Sequence, residues 1–524
     1  MKEVINYTNN QTISKGRVVV IGAGIGGLTG AALLAHRGYS VLTLDQALVP
    51  GGCASTFQRR GFTFDVGATQ VAGLEPGGIH HRIFTELNVK IPEAIFCDPA
   101  CAVFLPGEKE PINVWRDPEK WKAERQRQFP GSEKFWQLLA ALFKVSWEFQ
   151  GRDPVLPPRN LWDLWQLTKA LRLNTMITVP FTLMTVGDAL RLCGVGDDKR
   201  LRTFLDLQLK LYSQVNAEET ALLYAATALA VSQAPQGLFH LKGSMQVLSD
   251  RLVEALERDG GKLLMRHTVE HIKTEKGKAC AVVIRNQKTG EVWIEEVDHV
   301  VANVTVQNLV KLLELQQLPQ QNINSKNNST APTPISGYKN RVIKLPQASG
   351  AFVVYLGVDE KAIPSGCPPH LQFLYDANGP IGENNSLFVS VSHAGDGRSP
   401  EGKATIIASS FVDPTYWWET DDYEGLKKKF TEEAIGKLSQ YFNLQPENII
   451  HIEAATPRSF YRYTGREKGI VGGIGQRIPT FGPFGFANRT PVKNLWLVGD
   501  STHPGEGTAG VSYSALTVVR QITE

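Results

Sequence analysis

The chain has 524 residues, 55 Lys and Arg against 52 Asp and Glu for a formal net charge of +3, and 48 glycines, about 9% against a usual ~7%. A chain this long buries a sizeable core in two or three domains, which excludes bulk disorder. Charge near balance, with no basic run longer than Lys427, Lys428 and Lys429, gives no footprint for a nucleic acid, and six scattered cysteines form neither a disulfide framework nor a zinc site.

After a polar tail at 1–16, Arg17–Ile21 reads as a buried parallel strand, 22–27 as a turn and 27–37 as a helix. A second strand over 41–44 ends on Asp45 and completes a βαβ unit. The uncharged run 18–35 has the length of a membrane span, but Gly22, Gly24, Gly26, Gly27 and Gly30 break it into strand, tight turn and helix. Gly51 and Gly52 follow closely. Six of the ten tryptophans fall between 115 and 165, in helical-looking stretches at 133–149 and 160–173 parted by Pro154, Pro157 and Pro158. These suggest a separate helical domain and the wall of an apolar tunnel, with core packing as the alternative.

The run 173–187 is too short to span a bilayer and carries Pro180. Its Met176, Ile177, Val179, Phe181, Leu183 and Met184, flanked by Lys169 and Arg172, form either a monotopic insertion surface or a buried helix pair broken at Pro180. A helix over 243–259 leads through Gly260 and Gly261 to strands at Lys262–Met265, 269–273, 281–285 and 292–297. Residues 316–334 lack periodicity and are expected to form a mobile loop. Strands at 352–358, 387–392 and 404–411, a helix at 424–442, a strand at 494–498 and a last helix from about Gly510 complete the chain.

The chemistry is concentrated in glycine. Backbone N–H groups at a helix N-terminus approach a nucleotide pyrophosphate only where no Cβ intervenes, and Gly22, Gly24 and Gly27 supply that GxGxxG spacing. Asp45, at the end of the second strand, is placed to accept ribose hydroxyls and disfavours a 2′-phosphate. Strand, glycine turn and helix recur at the other end, where Leu495, Trp496, Leu497 and Val498 precede Gly499 and Asp500. His80 and His81, and the pair His267 and His271, have no third ligand at metal spacing, so no metal is expected. No GxSxG elbow supports hydrolase chemistry.

Residues 499–511 resemble the C-terminal FAD motif of the flavoproteins that include amine oxidases and phytoene desaturases. Residues 50–57 (PGGCASTF) and 61–68 (GFTFDVGA) resemble the signature of the carotenoid desaturase and carotene cis–trans isomerase family, and the likeness covers nearly the whole chain. Within that family, 67–81 and 207–240 look most like members that desaturate the carotenoid 3′,4′ bond. The resemblance implies an α/β fold: a Rossmann-type FAD-binding domain made of 17–90, 240–310 and 485–524, and a discontinuous α+β substrate and membrane-facing domain made of 91–239 and 311–484. It implies FAD contacts at Gly22, Gly24, Gly26, Gly27, Asp45, Gly51, Gly52, Gly499, Asp500, Gly510 and Val511, with the Val269 backbone at the adenine. Asp45 stands where the family more often has Glu, and Glu506 lies in a turn that is often glycine or alanine.

The expected activity is FAD-dependent carotenoid desaturation. A carotene isomerase is the second reading and a non-enzymatic lipid carrier the third. Removing a hydride and a proton from a C–C bond requires a redox cofactor, because side chains cannot hold a hydride. His503 and Glu506 are the candidates to receive or relay the proton, with capping of the last helix and FAD contact as their alternative role. The expected partners are a carotenoid substrate, a quinone or oxygen as electron acceptor, and the cytoplasmic face of a thylakoid or plasma membrane, with no nucleic acid.

Overall fold

A computed structural model describes residues 14–314, 334–392 and 395–524. Most of the expected polar tail, and the expected loop at 316–334 apart from Pro334, lie outside the described residues; Pro334 opens the helix Pro334–Ile343.

The first βαβ unit forms where its spacing predicts. Strand β1 (Arg17–Ile21) pairs in parallel with β2 (Ser40–Asp45), and α1 (Ile25–His36) connects them. The helix begins before residue 27, capped by Gly24, so Gly26 and Gly27 lie inside it and not in a turn. The seven-stranded sheet draws β3 (Cys101–Phe104) and β4 (Ile112–Val114) from the first third of the chain. The helical region between 115 and 230 includes α2 (Glu133–Gln150), α3 (Leu161–Ala170), α4 (Lys199–Ser213) and α5 (Leu222–Ala230). Its core holds Trp121, Trp136, Phe129 and Phe204, so two of the clustered tryptophans are packing residues.

Next come α6 (Gln246–Arg258), β5 (Lys262–Met265), the antiparallel trio β6 (His267–Glu275), β7 (Lys278–Asn286) and β8 (Val292–Glu296), and β9 (His299–Ala302). Strands β10 (Gly350–Asp359), β11 (His370–Leu374), β12 (Ser386–Val391), β13 (Lys403–Val412) and β14 (Ile449–Ala455) complete the large sheet, in the order β14-β10-β13-β12-β11-β3-β4. Strand β15 (Leu495–Leu497) and helix α7 (Thr508–Thr523) close the chain.

The five-stranded sheet β5-β2-β1-β9-β15 is parallel throughout and takes strands from three distant stretches of sequence. Alternation along β1 sends Val18 and Val20 to one core with α1, α6 and α7, and Val19 and Ile21 to another beneath β6 and β7. Ligands of such sheets sit beyond the carboxyl ends of the strands, where Gly22, Asp45, Asn303 and Val498 stand.

The run after α3 is neither a buried helix pair nor a regular α-helix. It is a 3₁₀ stretch, Leu173–Leu183, that contains Pro180. Leu173 (91%), Met176, Ile177, Val179 and Leu183 are exposed, together with Leu161, Leu164 and Trp165 of α3, whereas Phe181 and Met184 pack inward. Among the described residues no helix is long and apolar enough to cross a membrane.

Candidate active site

A cavity of about 810 Å³ runs from the ends of the parallel strands to the seven-stranded sheet and the helical region. At the end beyond the parallel strands, Gly22, Gly24, Gly26, Gly27 and Gly499 all close around one residue, Asn303. A Cβ at Gly22 (φ +95°) would sit 2.7 Å from Asn303 O, one at Gly24 2.9 Å from Asn303 Nδ2, and one at Gly499 (φ +118°) 3.1 Å from Asn303 Oδ1. Asn303 follows β9, donates its N–H to Ile21 O at 2.8 Å and lies on the cavity wall. Gly26 is on the wall too, its Cβ position 3.0 Å from Asn303 Oδ1 and 3.2 Å from Val511 O. Gly27 is not: a Cβ there would overlap Gly22 O, so its bareness makes room for the loop.

Gly51 and Gly52 lie on the wall directly beside the cradle: Gly51 forms a parallel bridge with Gly24 and donates its N–H to Ala23 O at 2.8 Å, and a Cβ at Gly52 would sit 3.3 Å from Gly24 Cα. Asp45 faces the cavity but also staples the loop, accepting from Ala23 N at 2.7 Å and Ala47 N at 2.8 Å. Burial raises its carboxyl pKa, and these two N–H groups pull it back. Val269 lines the same end beside His267 and Thr268, where the β6–β7 register slips before His271.

Two helix N-termini, those of α1 and α7, point at this space, each capped by a glycine and without an acidic residue in its first turn. Gly510 and Val511 belong to the second. Asp500 lines the wall and accepts from Arg466 Nη2 at 2.7 Å. The arginine also donates to Ile470 O and Gly472 O, tying the Asp500 turn to residues 466–472. The cradle, the paired helix ends and the Asp500 turn fit a dinucleotide phosphate and its flanking sugars.

Glu506 borders the cavity and is half-buried. Its Oε2 accepts from Gln214 Nε2 at 3.0 Å and from Gly473 N at 3.4 Å, while its buried Oε1 has no partner among the described residues. Burial, then the Asp500 carboxylate, push its carboxyl up to about 8 against Gln214, the Gly473 N–H and Arg466. His503 was expected beside it, but Pro504 takes that place on the wall. The imidazole is buried behind, receives the Gln150 amide at 2.7 Å and is held neutral by burial, down to about 4.

These shifts have a sign. Between 4.5 and about 8 the folded chain keeps a Glu506 proton that the unfolded chain has lost, so this group lowers stability as pH rises. His503 acts in the opposite sense, but only below 6.5. From pH 6.5 to 8, the urea midpoint of the cofactor-free chain should therefore fall relative to that of Glu506→Gln. Parallel curves would show that Glu506 is ionised throughout.

The far arm of the cavity is walled by Trp147, Tyr212, Tyr224, Phe388, Phe411 and Phe481. Among the described residues no group of three or more His, Cys, Asp or Glu side chains could hold a metal. Sequence reasoning missed Asn303, Arg466 and Gln214. Asn303 ends an apolar run, His299–Ala302, that could have been read as a strand pointing it at the glycines; no local pattern announces the other two.

The chain matches the family described as flavin containing amine oxidoreductase over residues 25–523. It is 27% identical over 523 residues to prolycopene isomerase 2, chloroplastic, of an Oncidium hybrid cultivar, covering 96% of this chain and 83% of that protein. It is 24% identical over 534 residues to a zeta-carotene-forming phytoene desaturase of Myxococcus xanthus, covering 97% and 93%. Cyclohexylamine oxidase of Brevibacterium oxydans IH-35A shares the fold, with a TM-score of 0.60 at 15% identity over 97% of this chain and 100% of that one.

Proposed function

The chain belongs to the family of flavin-containing amine oxidoreductases, and on that premise we propose that it binds FAD and desaturates a carotenoid, introducing a C–C double bond at the 3′,4′ position. The observation that carries this reading is a single cavity joining the glycine cradle to an aromatic arm, with the Glu506 carboxyl close enough to bear on both Asp500 and Tyr224. Gly22, Gly24, Gly26 and the α1 N-terminus would hold the pyrophosphate, and Asp45 and the Val269 backbone the adenosine. Gly51, Gly52, Gly499, Asp500, Gly510 and Val511 would hold the rest. Bound FAD supplies the two-electron acceptor that side chains lack.

The aromatic arm would align the polyene and exclude water. Glu506, its carboxyl pushed up to about 8, would exchange the proton. His503, behind the wall, is left a supporting role through Gln150. A carotene cis–trans isomerase is the second reading, equally supported by the relatives, since it needs the same cradle and arm.

Liposomes carrying defined carotenes, incubated with protein, FAD and a quinone, separate the two. A product lighter by two hydrogens supports the desaturase; unchanged mass with altered retention supports the isomerase; unaltered carotene contradicts both. Glu506→Gln should keep its flavin and lose turnover by roughly 10²–10⁴-fold. The exposed apolar strip of α3 and Leu173–Leu183, with Lys169 and Arg172 beside it, would seat the protein on one leaflet. Ile177→Glu with Leu183→Glu should abolish flotation with anionic vesicles while leaving bound flavin unchanged; flotation equal to wild type would rule this seat out.

A further inference from the structure

A second chamber, of about 320 Å³, adjoins the main cavity. Lys210, Gln214 and Ile381 line both spaces, and Asp206, Asn216, Glu219 and Arg477 give the smaller one a polar, charged wall. Its outer rim carries an Arg477 Nε to Glu219 Oε1 ion pair of 2.7 Å, with the Glu219 side chain 45% exposed.

Gln214 joins the two. It caps the end of α4 in the left-handed region (φ +67°), an uncommon conformation for a residue with a side chain, and there its amide donates to Glu506 Oε2 at 3.0 Å. Gly472 (φ +65°) packs so closely that a Cβ would overlap both groups. Gln214 Oε1 and Glu506 Oε1 are buried and have no protein partner among the described residues. Gln214 lies on the chamber wall and Glu506 is bonded to it, and two such unpartnered oxygens next to a polar chamber large enough for several waters are what a bridging water chain satisfies. The charged and titratable groups that bear on Glu506 are Asp500, Arg466, Lys210 and Tyr224, and the Lys210 ammonium is anchored to Gln214 O and Ser349 Oγ, both at 3.0 Å.

Resting on the reading of Glu506 as the proton-exchanging group, we propose that this side chamber is a water-filled proton route between Glu506 and solvent, with Gln214 as the positioning residue that couples them. The substrate arm can then stay closed to water while the carboxyl is reset. To reset, the Glu506 O–H bond breaks and the proton it has taken up passes through chamber water to solvent, leaving the carboxylate; run in both directions, the same route exchanges that proton with solvent, and no oxidant or reductant takes part.

The test uses the flavin-loaded full chain. The carboxylic-acid C=O band that Glu506→Gln removes is followed by infrared spectroscopy after transfer to D₂O, and its downshift times hydrogen exchange at Glu506. Gln214→Leu cuts the link, and Gln347→Trp fills the chamber from an exposed position that does not line the main cavity. Both should slow exchange by roughly tenfold or more at unchanged flavin content. Wild-type exchange in Gln347→Trp overturns the chamber as the route, and wild-type exchange in Gln214→Leu overturns its coupling role. Full turnover of Glu506→Gln would overturn the underlying reading instead, whatever the exchange rates show.

Discussion

Gly24→Val should purify without flavin. The added Cβ would stand 2.9 Å from Asn303 Nδ2, and Asn303 is tied in place, its N–H donating to Ile21 O at 2.8 Å and its Nδ2 to Gly22 O at 3.4 Å. Any accommodation leaves methyl groups over the N-terminus of α1, where the pyrophosphate would lie. Absorbance of the bound flavin should fall below roughly a tenth of wild type, and added FAD should no longer raise the melting temperature. Gly30→Ala is the control: its Cβ would meet only Ala515 Cβ, at 3.8 Å, and flavin should be kept. Asp500→Ala should also release flavin, since it deletes a wall carboxylate and strips Arg466 of its ion pair. Stoichiometric flavin in either Gly24→Val or Asp500→Ala would count against the cradle.

Arg398→Met should be the most destabilising single change outside the cavity. The guanidinium is 2% exposed and donates to Asp65 Oδ2 at 3.1 Å, Asp396 Oδ2 at 3.3 Å and Leu241 O at 2.7 Å. Asp65 is equally buried and also accepts from Met245 N at 2.8 Å. Removing one partner from such a set strands the other charges, at a cost of about 3–5 kcal/mol. The loss should be read in the urea midpoint of the cofactor-free chain. Asp65→Leu combined with Arg398→Met should recover part of it, because one of the two stranded carboxylates is gone. A double variant less stable than the single one would mean that the pair contributes more than it costs to bury.

Asp65 shows how much of the molecule is legible in sequence, and where legibility ends. The stretch 61–68 was recognisable as a motif, yet its aspartate turns away from the cavity to a partner 333 residues later. The βαβ unit was readable because its determinants are local: the glycine spacing, the apolar run and the terminal Asp45 all fall within 30 residues. Strand β3 paired in parallel with β11 was not, because nothing near Cys101 announces His370–Leu374. The site divides the same way. Both glycine turns and Glu506 were identifiable in their own neighbourhoods. Asn303, Arg466 and Gln214 matter through contacts across the fold, and His503 was misplaced because adjacency to a motif does not fix which way a ring points. The clustered tryptophans were ambiguous for the same reason: Trp121 and Trp136 fill a core, Trp147 lines the cavity and Trp165 faces outward.

The parallel sheet has an implication for biogenesis. Strand β1 takes β9 as its neighbour only after about 280 further residues have been made, and β9 takes β15 only after nearly 200 more. Until those strands have been made, the nascent chain therefore exposes an open apolar strand edge beside a half-built cradle. The second helix end and the Gly499 turn lie far downstream of the first glycine turn, so the cradle is complete for cofactor capture only once residue 511 has been made. Flavin supply and folding then meet at one step. Chains that reach it in flavin-starved cells would arrive as an apo pool with that seam still loose, and this is the population that proteases and chaperones would select.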